Sequence, residues 1–389
     1  MKRASILFLI PFLMLTYACR KEELKPSASC SYEKDHSSHP EGEELQQVLE
    51  DYVDKGLPGA VVLVRDGFGV WTGAAGKADI KKGTPMSPCH VSKVASITKL
   101  MMGTVALQLD EEGKLFLDDR VREYLAPEVT QNIGNARRAT LRQLMNHRSG
   151  IYDVVSDQGF YLSILDKPDK EWSTEEILDH VRNEDPYFGP GGGERYSNTN
   201  FTLLSLVLEK ATGKEHQKLL HQRIFEPLNM DQSYYDPHDP LPEHTAKGYY
   251  DLYNEGKIVD LTAYSTGNGN GYTGVYSTVQ DLKTFIEALY RDKTLLADST
   301  LGRMLNFKGS ASDGRKFGLA CYKDFLNKGT QEYAYGHRGR DLAYSAGAYY
   351  FPEKDITLTL LVNYGTNGDS HLKPTFRDFR SKVADVVLD

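Results

Sequence analysis

Ser96-Ile97-Thr98-Lys99 sets a hydroxyl and an amine three residues apart, which on a helix is one face, one turn apart. A serine hydroxyl is a weak nucleophile until a base takes its proton. Lysine can be that base only when neutral. From a reference pKa of about 10.4, half-neutrality at pH 7 needs a shift of about three units, roughly 4–5 kcal/mol of environment. Burial beside a second cation would supply it, and the apolar residues that follow (Leu100, Met101, Val105, Leu107, Leu109) suit a buried helix. A second string, Tyr196-Ser197-Asn198, follows the loop Gly189-Pro190-Gly191-Gly192-Gly193 and precedes another helix. Its phenol could relay a proton and its asparagine could hold a substrate amide; packing and capping would use the same residues. A third, His337-Arg338-Gly339, enters a β-rich run. Gly339 would let a substrate backbone lie close to the strand. His337 could stand as a positive or proton-donating neighbour of the Tyr196 oxygen, or be structural.

The elements that must bring these strings together are legible in outline. Leu45, Val48, Leu49 and Tyr52 recur at helical spacing, and Gly56 and Pro58 end that helix. Gly59–Arg65, the turn Asp66-Gly67 and Phe68–Thr72 read as a hairpin. Residues 92 to about 300 read mostly as helix, with capping signals at Thr140-x-x-Gln143 and Thr278-x-x-Asp281 and a helix stop at Gly213. Strands return at Ala348–Phe351 and Ile356–Val362, and a last helix starts near Pro374. Early and late strands are expected to share one sheet with helices packed on it. This gives an α/β lobe at about 44–91 and 305–389, a helical lobe at about 92–304, and a site in the cleft between them.

The chain has 389 residues, 40% hydrophobic, and a net charge of −8. It can bury a core, and its dispersed acidic balance argues against a nucleic-acid partner. Lys2 and Arg3 followed by a short apolar run, too short to span a bilayer, read as a signal peptide over 1–18. Ala18-Cys19 resembles a bacterial lipoprotein cleavage site. Cys19 would then carry lipid and hold the chain to a membrane facing the periplasm or cell surface, with 19–43 as a disordered tether and 44–389 as the folded domain. Cys30, Cys89 and Cys321 remain, an odd number without metal-type spacing, so neither a disulfide framework nor a metal is expected.

The three strings, in this order and spacing, resemble the serine β-lactamase and penicillin-binding protein-like family, particularly its class C β-lactamase, DD-peptidase and esterase branch. Further runs carry the resemblance: Pro58-Gly59-Ala60, Leu144-Met145-x-His147-x-Ser149-Gly150, Glu226-Pro227-Leu228-Asn229-Met230 and Gly336-His337-Arg338-Gly339. It implies an antiparallel sheet flanked by N- and C-terminal helices, with a helical insertion. It implies that Ser96 is acylated, that Lys99 and Tyr196 move its proton, and that Asn198 holds the acyl-side amide. The main-chain N–H groups of Ser96 and Arg340 would form the oxyanion hole, with His337 where β-lactamases of the branch carry lysine. No cofactor is implied.

His-Arg-Gly in place of Lys-Thr-Gly is closer to DD-peptidase and D-amino-acid peptidase relatives. Arg338 and Arg340, on one side of an extended strand, would clamp a substrate carboxylate, or else face solvent or pair with Asp341. D-amino-acid-containing peptides are therefore expected first, small esters second and β-lactams third. Two rivals stand beside this reading. Ala343-Tyr344-Ser345-Ala346-Gly347 resembles a nucleophile elbow of another hydrolase class. A muropeptide- or penicillin-binding sensor would keep the fold without turnover.

Overall fold

The computed structural model describes residues 39–308 and 314–389. In chain order, α1 (Gly42–Asp54) leads into strands β1 (Gly59–Asp66), β2 (Gly69–Asp79), β3 (Thr84–Pro85) and β4 (Ser92–Lys93). Then come helices α2 (Ile97–Glu111), α3 (Pro127–Thr130), α4 (Leu141–Met145), α5 (Gln158–Asp166), α6 (Thr174–Asp179), α7 (Thr199–Thr212) and α8 (His216–Leu220). The short strands β5 (Tyr234–Tyr235), β6 (Tyr249–Tyr250), β7 (Val259–Asp260) and β8 (Val275–Ser277) precede α9 (Val279–Ile286) and α10 (Asp298–Met304). The chain ends with β9 (Lys316–Phe317), β10 (Tyr322–Asp324), β11 (Ala334–Arg340), β12 (Ser345–Phe351), β13 (Ile356–Val362) and α11 (Lys373–Leu388).

One antiparallel sheet runs in the order β3-β2-β1-β13-β12-β11-β10-β9, so strands from the two ends of the chain meet at its centre. Ala60 pairs with Val362 there, and His337 pairs with Ala348 towards the other edge. Every residue of β12 and β13 is buried, as in a sheet covered on both faces. Helix α1, with Leu45, Val48, Leu49 and Tyr52 inward, packs on β2 and on α11, while α2 packs on β11 and β12. Helix α2 is buried almost all round, as its composition required.

The expected local signals are present. Thr140 and Gln143 form a reciprocal capping box, the Thr278 side chain accepts from the Asp281 N–H, and Gly213 ends α7 with φ of +68°. Three expectations are corrected. Helix α9, placed by sequence with the helical lobe, packs on β13, β1 and β12, because Val279, Leu282, Phe285 and Ile286 form an apolar stripe that the sheet covers. Residues 39–43, assigned to the tether, join the fold: His39 Nε2 lies 3.2 Å from Asp66 Oδ1, and α1 opens at Gly42. Cys89 is disulfide-bonded while Cys321 is free and buried, so the odd count did not exclude a bridge. The signal peptide, Cys19 and the rest of the tether lie outside the described residues.

Candidate active site

Ser96 stands where the chain leaves β4 and opens α2. Ala95 before it has φ of +47°, a left-handed conformation that costs a non-glycine residue roughly 1–3 kcal/mol. The turn is held by Ile97 N–H to Val94 O at 3.1 Å and by Thr98 Oγ1 to Ala95 O at 2.7 Å.

Ser96 Oγ accepts hydrogen bonds from Lys99 Nζ and from the Tyr196 hydroxyl, each at 3.0 Å. Lys99 is fully buried and also donates to the Tyr272 main-chain oxygen at 2.7 Å. Burial lowers its pKa to about 7, against the opposing pull of Asp153 and Asp341. The second cation expected from sequence is not the cause: desolvation makes the shift, and the nearby charges are carboxylates. Burial drives Tyr196 well above 10.0, so it stays a protonated phenol able to relay a proton. His147 lies behind that phenol, the ring centroids 4.2 Å apart, and its Nδ1 accepts from the Ser197 N–H at 3.2 Å.

His337 is buried, with Nδ1 2.8 Å from the Arg338 main-chain oxygen. A carbonyl only accepts, so Nδ1 carries the proton and Nε2 is left as an acceptor. Burial first, and then nearby Lys99, push its pKa well below 6.5. That direction favours the neutral imidazole, whose ring lies 4.4 Å from the Tyr322 ring and is tilted to it by 32°.

Gly339 has a different reason from the one expected. A Cβ there would lie 2.0 Å from Val94 O and 3.2 Å from Ala95 Cβ, so β11 is pressed against the loop that carries the nucleophile. Gly339→Ala is expected to lower stability by about 1–3 kcal/mol and to lose activity, read by thermal denaturation and by Ser96 labelling. A variant with wild-type melting and turnover would contradict this packing.

Ser96, Asp153, Tyr196, Asn198, Arg338 and Arg340 all line one cleft of about 570 Å³. Arg338 and Arg340 do share it, but Arg338 Nε lies 3.4 Å from Asp324 Oδ2, an oxygen that also accepts from Arg380 at 2.8 Å. The Asp341 carboxylate forms a buried ion pair with Lys93 of β4 and accepts from Thr266 Oγ1 at 2.9 Å. Tyr272 in turn donates to the Thr266 main-chain oxygen at 2.6 Å. The nucleophile loop, the end of β11 and the segment that anchors Lys99 are thus tied together by charge and hydrogen bonds. Sequence reasoning missed Asp153, Tyr272 and the Lys93–Asp341 pair. Their partners are remote in sequence, and none sits in a recognisable string.

The elbow reading of Ser345 fails on geometry. Ser345 lies in a strand, is buried, and donates to the Tyr364 main-chain oxygen at 2.8 Å. No strand–turn–helix exposes it.

A profile described as Beta-lactamase matches residues 45–380. A D-stereospecific amidohydrolase from Streptomyces sp. superposes with a TM-score of 0.76 at 31% identity, over 88% of this chain and 96% of that one. A D-amino acid amidase from Ochrobactrum anthropi SV3, solved with L-phenylalanine amide, gives 0.77 at 26% identity, over 89% and 97%. Penicillin-binding protein 4* of Bacillus subtilis (strain 168) is 29% identical over 64% of this chain and 56% of its own length. The chain spans about half the length of the curated relatives it matches, 56% and 41% for two of them. The matched span, the mixed sheet-and-helix fold and the Ser-Lys-Tyr cluster lead to one statement: the chain belongs to the Beta-lactamase family of serine hydrolases, with penicillin-binding proteins and D-amino acid amidases among its relatives.

Proposed function

We propose that this chain hydrolyses amide bonds of D-amino-acid-containing peptides or amides through an acyl-enzyme on Ser96. The observation that carries the reading is the pair of 3.0 Å contacts from Lys99 and Tyr196 onto one serine oxygen. Neutral Lys99 takes the Ser96 proton as Oγ bonds to the substrate carbonyl carbon. The main-chain N–H groups of Ser96 and Arg340 receive the developing oxyanion; donors in such a place contribute about 3–4 kcal/mol each in other hydrolases. Tyr196 passes a proton to the leaving amine, the C–N bond breaks, and water then releases the acyl group. The D-amino-acid preference is supported by the histidine of His337-Arg338-Gly339 and by relatives named for D-stereospecific amide hydrolysis. Export and lipid attachment at Cys19 belong to the same proposal and would place the enzyme where such peptides occur.

The test is a panel of D-Ala-D-Ala peptides, D-aminoacyl amides, p-nitrophenyl esters and a chromogenic cephalosporin, with Ser96→Ala as control. The D-amides should give the highest kcat/KM. Preference for the esters or the cephalosporin would replace this substrate reading with esterase or β-lactamase activity. An acyl-enzyme that forms and never turns over would replace it with a sensor.

The arginines carry a further prediction. Arg338→Ala and Arg340→Ala together should raise KM for carboxylate-ended peptides by roughly tenfold or more, the loss of charge-assisted contacts. Neutral esters should be little affected. Equal effects on both substrate kinds would remove the carboxylate clamp.

A further inference from the structure

We propose that Asp153 and Asn198 form a subsite for a free α-ammonium group on the acyl side of the substrate. The inference rests on the acyl-enzyme reading of Ser96 and narrows its substrate class.

Asn198 immediately precedes α7 and is held by one carboxylate. Its main-chain N–H donates to Asp153 Oδ1 at 2.8 Å. Its side-chain Nδ2 donates to Oδ1 at 3.0 Å and to Oδ2 at 3.3 Å. An ionised carboxylate only accepts, so turning the amide over would set oxygen against oxygen. The Asn198 amide orientation is therefore fixed, with Nδ2 committed to Asp153 and Oδ1 as its remaining acceptor; both residues line the cleft. A carbonyl oxygen offers nothing to a substrate carbonyl; it accepts from N–H. The family resemblance has Asn198 holding an acyl-side amide, and this orientation selects the N–H end of such a group.

Asp153 adds charge to that acceptor. It is 9% exposed. Its Oδ1 is occupied by the two Asn198 donors and, at 3.4 Å, by the Val155 N–H, whereas Oδ2 has the long 3.3 Å contact. Burial raises its pKa, and Lys99 is the cation that opposes the shift. Lys99 must be uncharged to act as base, so the carboxylate loses that compensation in the working enzyme. An incoming ammonium restores it, and a buried carboxylate gains most from a cation that also donates hydrogen bonds. An N-acylated substrate brings one N–H and a carbonyl oxygen to the same place, and that oxygen meets two acceptors.

The experiment uses the folded protein and does not depend on amide turnover. The D-configured enantiomer of 1-aminoethylboronic acid and its N-acetyl derivative each compete with a fluorophosphonate for Ser96. In the wild type, the free amine should protect Ser96 at a concentration at least tenfold lower than the N-acetyl compound. Asp153→Asn should bring that ratio to within about twofold of unity, and Asp153→Glu should restore part of it. The labelling rate without boronate reports whether each variant keeps an intact site. Equal protection by the two boronates in the wild type, or a ratio that survives Asp153→Asn, overturns the subsite. The D-amide panel separates this inference from the substrate reading. Amine preference with no D-amide cleavage supports the subsite and sinks the substrate reading. Faster cleavage of N-acylated than of free-amine D-peptides does the reverse.

Discussion

Ser96→Ala is expected to lower kcat/KM by at least about 10⁴-fold on every substrate the wild type turns over, the scale seen when a nucleophile that works with a base is removed. The loss should fall on kcat, with KM little changed, because Tyr196, Asn198 and Arg340 still line the cleft. Lys99 and Tyr196 both donate to this one oxygen; without it Lys99 keeps the Tyr272 main-chain oxygen as an acceptor but no longer has a nucleophile to deprotonate. The melting temperature should stay close to that of the wild type, since Ser96 is only half-buried and its side chain makes no helix cap. Fluorophosphonate labelling followed by peptide mapping should find the adduct on Ser96 and lose it in the variant. Turnover within tenfold of wild type would mean that another residue is the nucleophile.

The second large effect concerns the charge state of Lys99. The working form is the neutral amine, so protonation inactivates it. With the pKa at about 7, kcat/KM should fall about tenfold per pH unit below that value and level off above it. Lys99→Met should lose roughly 10²–10⁴-fold and flatten the acid limb. Lys99→Arg should be as inactive, because a guanidinium does not give up its proton in this range. The same shift acts on folding. Between about 7 and about 10.4 the unfolded chain binds more protons at this residue than the folded one. The buried amine therefore costs stability below about pH 7, and that cost fades as the pH rises towards 10.4. A rate profile that stays flat down to pH 5 would show that Lys99 is not the base.

Short contiguous strings were legible because the chemistry they carry is local. Ser96 and Lys99 sit one helical turn apart, and Tyr196 and Asn198 flank a single residue. The hairpin at Asp66-Gly67, the Thr140 capping box and the stripe of α1 were legible for the same reason: each is a pattern within about a dozen residues. What escaped was everything decided between segments. Asp153 acquires its meaning from Asn198, Lys93 from Asp341, and the Tyr272 main-chain oxygen from Lys99. The proton position of His337 was not legible because it depends on a carbonyl that only the folded strand presents. Helix α9 was assigned to the wrong layer because an apolar stripe states that a face is buried and not what buries it.

The pairing of β1 with β13 carries a consequence for how the enzyme comes into being. Ala60 cannot find Val362 until nearly all of the chain has been made, and β11, which supplies Arg340, reaches the sheet centre only through β12 and β13. Contacts so distant along the chain form slowly, since a long loop must be closed before they contribute. A nascent polypeptide therefore holds its reactive serine without the strand that completes the site around it. Hydrolytic power arrives last, as a property of the finished sheet.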